Sequence, residues 1–156
     1  MDLSLSSTGM AVVEVKQGRA KLAQAFRVKT NPKLSHGDRL NNITEQLEAL
    51  IKNEGPFDVV ARERGFVRFA GATQAIYKVV GCSDLILRNY EIVEYSPMTI
   101  KSILTSNSRA SKQEVELSVR RILKLKDTYQ FESDDASDAV AVILTHLLKE
   151  KIIGRN

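Results

Sequence analysis

Met1-Asp2-Leu3-Ser4-Leu5-Ser6-Ser7-Thr8-Gly9-Met10-Ala11-Val12-Val13-Glu14-Val15 opens the chain. An acid stands beside a short apolar stretch, a Ser-Ser-Thr-Gly run follows, and an apolar pattern resumes after the glycine. This predicts three short β stretches, at residues 2–5, 10–15 and 21–28, with Gly9 and the Gln17-Gly18 pair as hairpin turns. A helix follows, with Leu40, Ile43, Leu47, Leu50 and Ile51 on one stripe, and Asn53-Glu54-Gly55-Pro56 stops it. Residues 57–63 read as a buried strand, 72–87 as a helix and 90–95 as another strand. A short helix starts near Pro97. Ser111-Lys112-Gln113-Glu114 is a capping box that opens the next helix, and a last helix spans 135–150. The order β-β-β-α-β-α-β followed by helices implies an α/β fold, a mixed central sheet flanked by helices, in one domain over 1–156.

Of the 156 residues, 43% are hydrophobic and 27% charged, a balance that argues against wholesale disorder. No apolar run approaches a membrane span, and the N-terminus lacks the basic and apolar regions of a signal peptide. The single cysteine, Cys82, excludes an internal disulfide and fits a reducing cytosol. A cytoplasmic protein without a membrane partner is expected. His36 and His146 have no ligand spacing with each other or with Cys82, so zinc is not expected. The net charge is +4, from 23 basic and 19 acidic residues. If some of those acids gather in one pocket, the rest of the surface is more strongly basic, which suits a polyanionic partner.

Four acids stand out. Asp2 opens the first β stretch, Glu63 ends the apolar run Phe57-Asp58-Val59-Val60-Ala61-Arg62, and Asp135 and Asp138 lie three apart at the start of the last helix, on one face. Each has an ordinary structural explanation. Asp2 can cap a turn, Glu63 can pair with Arg62 or Arg64, and acids in a first helical turn complement the dipole. Asp134 competes with Asp135, since it too can face Asp138. Asp138 lies beyond the first turn, and Glu63 follows an apolar run where an unpaired carboxylate is costly. Acids at strand ends and on one helix face can converge although distant in sequence. Converging carboxylates repel, so such a cluster is tolerable mainly around a divalent cation, and metal-dependent nuclease chemistry is the best reading.

On these residues the chain resembles the RuvC family of Holliday junction resolvases, within the ribonuclease H-like nucleases, over nearly its whole length. Asp2 with Ser7-Thr8-Gly9 looks like the family's first motif, and Ala61-Arg62-Glu63-Arg64-Gly65-Phe66 like the second. Glu94-Tyr95, Ile100-Lys101 and Ser108-Arg109-Ala110-Ser111-Lys112 are similar to its basic segment. Asp135-Ala136-Ser137-Asp138-Ala139-Val140-Ala141-Val142, with Thr145-His146, matches its closing motif. Any one of these is weak; four in the right order are specific. The chain departs from the pattern at Leu3-Ser4, where Pro-Gly is more usual, and at Arg62, where an apolar residue is usual. Only one residue precedes the first acid, so either strand one is unusually short or the true chain begins earlier.

The resemblance implies a ribonuclease H-like fold and a homodimer that cuts four-way DNA junctions in the bacterial cytoplasm, with a phage-encoded source as an option. It implies that Asp2, Glu63, Asp135 and Asp138 hold two Mg²⁺ ions, with Mn²⁺ able to substitute, and that no small-molecule cofactor is needed. Lys101 and Lys112 match positions near the scissile region, and Lys101 joins the catalytic set. Phe66 resembles an aromatic that stacks on a base at the crossover, and Arg64, Arg68 and Arg109 complete the DNA-binding set; Phe69 is undecided. Residues 97–126 carry seven basic side chains against two acids. Arg120, Arg121, Lys124 and Lys126 read better as a solvated helix face. Helix 72–87, with Gly71, Ala72, Ala75 and Gly81, is the candidate dimer surface, although a buried helix of a monomer reads the same way. The rival readings are an inactive ribonuclease H-like DNA-binding module, an actin-like ATPase fragment, and a related nuclease with looser choice of branched substrate or acting on RNA.

Overall fold

Backbone hydrogen bonds made by the first two residues join two small sheets into one layer. The computed structural model of the chain describes residues 1–65 and 70–154. Strands β1 (Ser7–Lys16) and β2 (Arg19–Lys29) form an antiparallel hairpin. Its turn is Gln17-Gly18, both with positive φ (50° and 70°), the conformation that matches the twist of a two-residue hairpin. A bulge interrupts the register between Val12 and Val13. Helix α1 (His36–Glu54) is N-capped by Ser35, whose side chain accepts from the Asp38 N–H. Strands β3 (Val60–Glu63) and β4 (Ile92–Tyr95) are parallel, joined through helix α2 (Ala70–Ile86). Helices α3 (Pro97–Thr105), α4 (Lys112–Leu123) and α5 (Asp134–Lys149) complete the described elements.

Asp2 and Gly9 exchange both backbone hydrogen bonds, at 3.0 and 2.8 Å. The Met1 amine donates to the Ala61 carbonyl at 2.6 Å, and the Glu63 N–H donates to the Met1 carbonyl at 3.0 Å. Met1 and Asp2 thus lie antiparallel to β1 and parallel to β3. Across the layer the order is β2, β1, the Met1-Asp2 pair, β3, β4. One face packs against α1 and α2 around Met10, Ile43, Leu47, Val79 and Leu87. The other packs against α3, α4 and α5 around Val119, Val140, Leu144 and Leu147.

Several expected boundaries move. The stretch 2–5 is not a strand; only Asp2 forms a bridge. Side-chain hydroxyls turn the chain instead. Ser4 Oγ donates to the Ser7 carbonyl (2.7 Å) and accepts from the Ser7 N–H (2.9 Å), and Thr8 Oγ1 donates to the Ser4 carbonyl (2.6 Å). Such local bonds compete with a strand ladder. Gly9 is therefore not the turn but lies inside β1. The strand expected at 57–63 is confined to Val60–Glu63, and that at 90–95 to Ile92–Tyr95. The Ser111 capping box is present in full. The last helix begins at Asp134 with Ser133 as its cap.

Gly9 is glycine for a different reason. A Cβ placed there would lie 1.9 Å from the Asp135 carbonyl oxygen and 3.3 Å from Ala139 Cβ. The first turns of α5 ride directly on β1 at this point. Gly9→Ala is expected to destabilise the protein by about 1–3 kcal/mol through overpacking against backbone. The check is thermal unfolding, with the midpoint falling by roughly 3–10 °C; an unchanged midpoint contradicts the close approach.

Candidate active site

The ends of three separate elements deliver carboxylates to one cleft. Asp2 sits where the chain crosses between β1 and β3, Glu63 is the last residue of β3, and Asp138 projects from the second turn of α5. Small residues beside Asp138, namely Ala136, Ala139 and Ala141, are almost wholly buried and let α5 lie close to the sheet. The cleft has a volume of about 240 Å³ and is lined by Asp2, Glu63 and Asp138 together with Lys101 of α3 and Lys112 of α4. Ile100, Val115 and Ala141 give it an apolar floor.

Two of these acids, Asp2 and Glu63, lie in a poorly solvated space. Burial pushes the Asp2 carboxyl up to about 6, and Asp138 and Asp135 add to the shift. Burial pushes Glu63 up to about 7, with the charges of Asp2 and Asp138 acting the same way. Both effects disfavour the ionised form. Lys112 opposes them. Its ammonium donates to Asp138 Oδ2 at 2.8 Å, and that hydrogen bond raises its own pKa, aided by the charges of Asp138, Asp134 and Asp2. Burial also pushes the Met1 amine down to about 5, against the pull of Asp2 and Glu63.

Asp135 stands slightly apart. It is not in the lining of the cleft; its Oδ2 accepts a hydrogen bond from Ser7 Oγ at the start of β1, and its charge still reaches Asp2. Asp134 is exposed. Among the described residues no three Asp, Glu, His or Cys side chains converge as a ready-made cation cage. Asp138 is turned to Lys112 and Asp135 to Ser7, so the side chains form an open set of hard oxygen donors held by neighbouring donors.

The remaining candidates divide. Arg64 follows Glu63 in the chain but does not line the cleft; its side chain is 66% exposed and its Nε lies 3.7 Å from Glu94 Oε2. Arg109 is exposed in the turn between α3 and α4. Phe66, Arg68 and Phe69 lie outside the described residues. Arg120 bonds Glu116 at 2.8 Å and the Tyr129 carbonyl at 2.8 Å, in keeping with a structural role. His146 is buried and hydrogen-bonded to the Tyr95 hydroxyl at 2.8 Å, a packing role.

Neither arginine beside Glu63 pairs with it. Strand alternation sends Arg62 to the opposite face, where its guanidinium is buried and donates to Ser83 Oγ (3.0 Å), Asp84 Oδ1 (2.6 Å) and Glu94 Oε1 (2.9 and 2.6 Å). This fastens β3 to α2 and β4 immediately behind Glu63. Sequence reading missed Ser7, Ser83, Asp84 and Glu94 as partners. The one available signal was Arg62 itself, since a cation in an apolar strand must find buried acceptors.

The family profile described as "Crossover junction endodeoxyribonuclease RuvC" matches residues 1–146. A protein of that description from Synechococcus sp. (strain CC9902) is 32% identical over 147 residues, 93% of this chain and 94% of the relative. Another, from Prochlorococcus marinus (strain MIT 9303), is 30% identical over 147 residues, 93% of this chain and 94% of the relative. Among solved structures, RuvC of T. thermophilus in complex with Holliday junction substrate superposes with a TM-score of 0.86 at 28% identity, covering 97% of this chain and 92% of that one. A second structure of Thermus thermophilus RuvC gives 0.85 at 27% identity, covering 97% and 93%. The ribonuclease H-like architecture expected from the sequence is thus the observed one, and the chain belongs to the RuvC family of crossover junction endodeoxyribonucleases.

Proposed function

We propose that this chain, as a single nuclease domain over residues 1–156, hydrolyses phosphodiester bonds in four-way DNA junctions with the help of divalent cations. The observation that carries this reading is the cleft where Asp2, Glu63 and Asp138 meet Lys101 and Lys112. It lies in a chain that superposes on a relative solved with Holliday junction substrate. The donor set fits the group. Carboxylate oxygens suit Mg²⁺, with Mn²⁺ as a substitute, and the upward shifts of Asp2 and Glu63, due to burial first and to neighbouring carboxylates second, mark buried negative charge that a cation would stabilise. Asp2, Glu63, Asp135 and Asp138 are the proposed ligands, for two ions. When bound, such ions supply Lewis-acid stabilisation of charge at the scissile phosphate and lower the pKa of an attacking water.

The chain's own residues do the rest. Lys112, which donates to Asp138, would be free to turn its ammonium to the phosphate if that carboxylate held a cation. It sits at the first residue of α4, where the helix N-terminus also favours an anion. Lys101, across the same cleft, neutralises the developing negative charge. Ile100 and Val115 exclude water from the floor. Ser7 keeps Asp135 oriented, and Glu63 is kept in place by the Arg62 cluster behind it. Arg64 and Arg109 bind the DNA backbone, with Phe66 and Arg68 in the adjoining segment. A homodimer through α2 suits the two-fold character of a junction, and among the described residues of that helix Tyr77 and Leu85, 61% and 67% exposed, are large apolar side chains open to it. The described helices include none long and apolar enough to cross a membrane.

Glu63→Gln is expected to lower Mg²⁺-dependent cleavage of a synthetic four-way junction by about 100- to 1000-fold. Binding of the same junction in a gel-shift assay should stay within about threefold, a tolerance under 1 kcal/mol. Full cleavage by that variant removes Glu63 from the site. Cation affinity should also depend on pH. At pH 8 both Asp2 and Glu63 are ionised, whereas at pH 6 Glu63 is mostly protonated and Asp2 about half so. A cation must displace those protons, so Mn²⁺ binding weakens as pH falls through 7 to 6, by roughly tenfold or more. Calorimetric titration of Mn²⁺ at the two pH values measures this; equal affinities contradict the proposed coordination by these two carboxylates.

A further inference from the structure

Arg39 is a buried cation that meets no acid. It lies in the first turns of α1 and is 8% exposed. Its Nε donates to Thr30 Oγ1 at 2.9 Å, and its Nη2 donates to the Leu5 carbonyl at 3.2 Å and to Ser6 Oγ at 3.3 Å. All of these acceptors are neutral. Among the described residues no carboxylate lies within ion-pair distance of it. Its chain neighbour Asp38 accepts from the Ser35 hydroxyl instead, at 2.6 Å. A charge taken out of water is costly unless it is paired. Arg62, the other buried arginine, meets Asp84 and Glu94; Arg39 has only dipoles.

The charge has an outlet. Nη1 of Arg39 has no partner among the described residues, where no buried side-chain nitrogen or oxygen is left unbonded, so Nη1 reaches solvent. Ser6 is exposed. Its hydroxyl accepts from Arg39 and keeps its own proton for an outside acceptor. The stretch from Lys29 to Gly37 carries Lys29, Lys33 and His36, all exposed, and no acid. His36 Nδ1 faces a further base, the Lys78 ammonium, at 3.3 Å. Strand register fixes where this lies relative to the cleft. The Thr30 N–H donates to the Ser6 carbonyl at 3.0 Å, and the next residue, Ser7, holds Asp135 through its hydroxyl. Lys29 stands opposite Ser7, so the two side chains share one face of the hairpin.

We propose that Arg39, Ser6 and Lys29 form an anion site for the DNA backbone beyond the cleft, so that the buried charge of Arg39 gains its counter-ion only when DNA is bound. This rests on the junction-cleaving reading above. A phosphodiester suits the donors. Its free oxygens can accept from a guanidinium, a hydroxyl and an ammonium, and such charge-assisted bonds are the strong ones. It also carries the negative charge that the surroundings of Arg39 lack. Closeness to the cleft selects DNA over the carboxylate of a protein partner, because Ser6 is one residue from the side chain that orients Asp135.

The test measures binding of a synthetic four-way junction without divalent cation, over a range of salt, so that the result does not depend on nuclease activity. It compares the unaltered chain with Lys29→Gln, Ser6→Asp and, as a control, Lys21→Gln, which alters an exposed cation near the other end of β2. Lys29→Gln is expected to weaken binding by about three- to tenfold and to lower the slope of log affinity against log salt by about one, the loss of one phosphate contact. Lys21→Gln is expected to change neither. Ser6→Asp leaves Arg39 in place and gives it a carboxylate where the phosphate would sit. It is expected to weaken binding at least as much while raising the thermal midpoint. A purely structural Arg39 predicts the higher midpoint with binding unchanged. Unchanged binding in Lys29→Gln or in Ser6→Asp overturns the proposal, as does an equal loss in Lys21→Gln. An unaltered chain that does not bind the junction overturns the reading above, and the site with it.

Discussion

Four backbone hydrogen bonds made by Met1 and Asp2 hold the two halves of the sheet together and place the first acid of the site. Asp2 exchanges two with Gly9, and Met1 makes two with Ala61 and Glu63. The same bonds that bring β3 alongside β1 therefore bring Glu63 alongside Asp2. Gly9 serves both sides of this junction. It accepts Asp2 along the sheet edge, and its lack of a side chain lets the first turn of α5 descend onto β1, carrying Asp135 and Asp138 towards the other two acids.

The cost of the arrangement is electrostatic, and the chain's own side chains offset part of it. Burial first, and then the charges of Asp138 and Asp135, drive Asp2 towards its protonated form, and burial with the charges of Asp2 and Asp138 does the same to Glu63, while Asp138 and Asp135 are each given a donor, Lys112 and Ser7. Lys112 thereby brings positive charge to the cleft. On the far side of β3, the Arg62 guanidinium uses Ser83, Asp84 and Glu94 to lock the strand end. The guanidinium is buried while its acidic partners are partly exposed; removing an acceptor from a buried charge is costly. Its value here is to fix where Glu63 points.

Much of this was legible in the residues. The Leu-Ile stripe of α1, the Gln17-Gly18 turn, the Ser111 capping box and the acids of α5 are local signals, and local physics decides them. Three of the four suspected acids line one cleft, with both suspected lysines, because strand ends and a helix face are where distant residues can meet. What could not be read depends on contacts across the chain. Gly9 looks like a turn residue until the Asp135 carbonyl is placed against it. The stretch 2–5 alternates like a strand, yet the Ser4, Ser7 and Thr8 hydroxyls bend it away. Arg62 signals a buried acceptor but not which one, and Asp135 shares a face with Asp138 without sharing its cleft.

We propose that these acids form a cation site in which Lys112 holds the place of a metal ion. Anomalous X-ray scattering from crystals equilibrated with Mn²⁺ tests it most directly. The predicted result is a peak in the cleft within ligating distance of Asp2, Glu63 and Asp138, with the Lys112 ammonium displaced from Asp138. A cleft without a peak at saturating Mn²⁺, its Lys112-Asp138 pair intact, would contradict it.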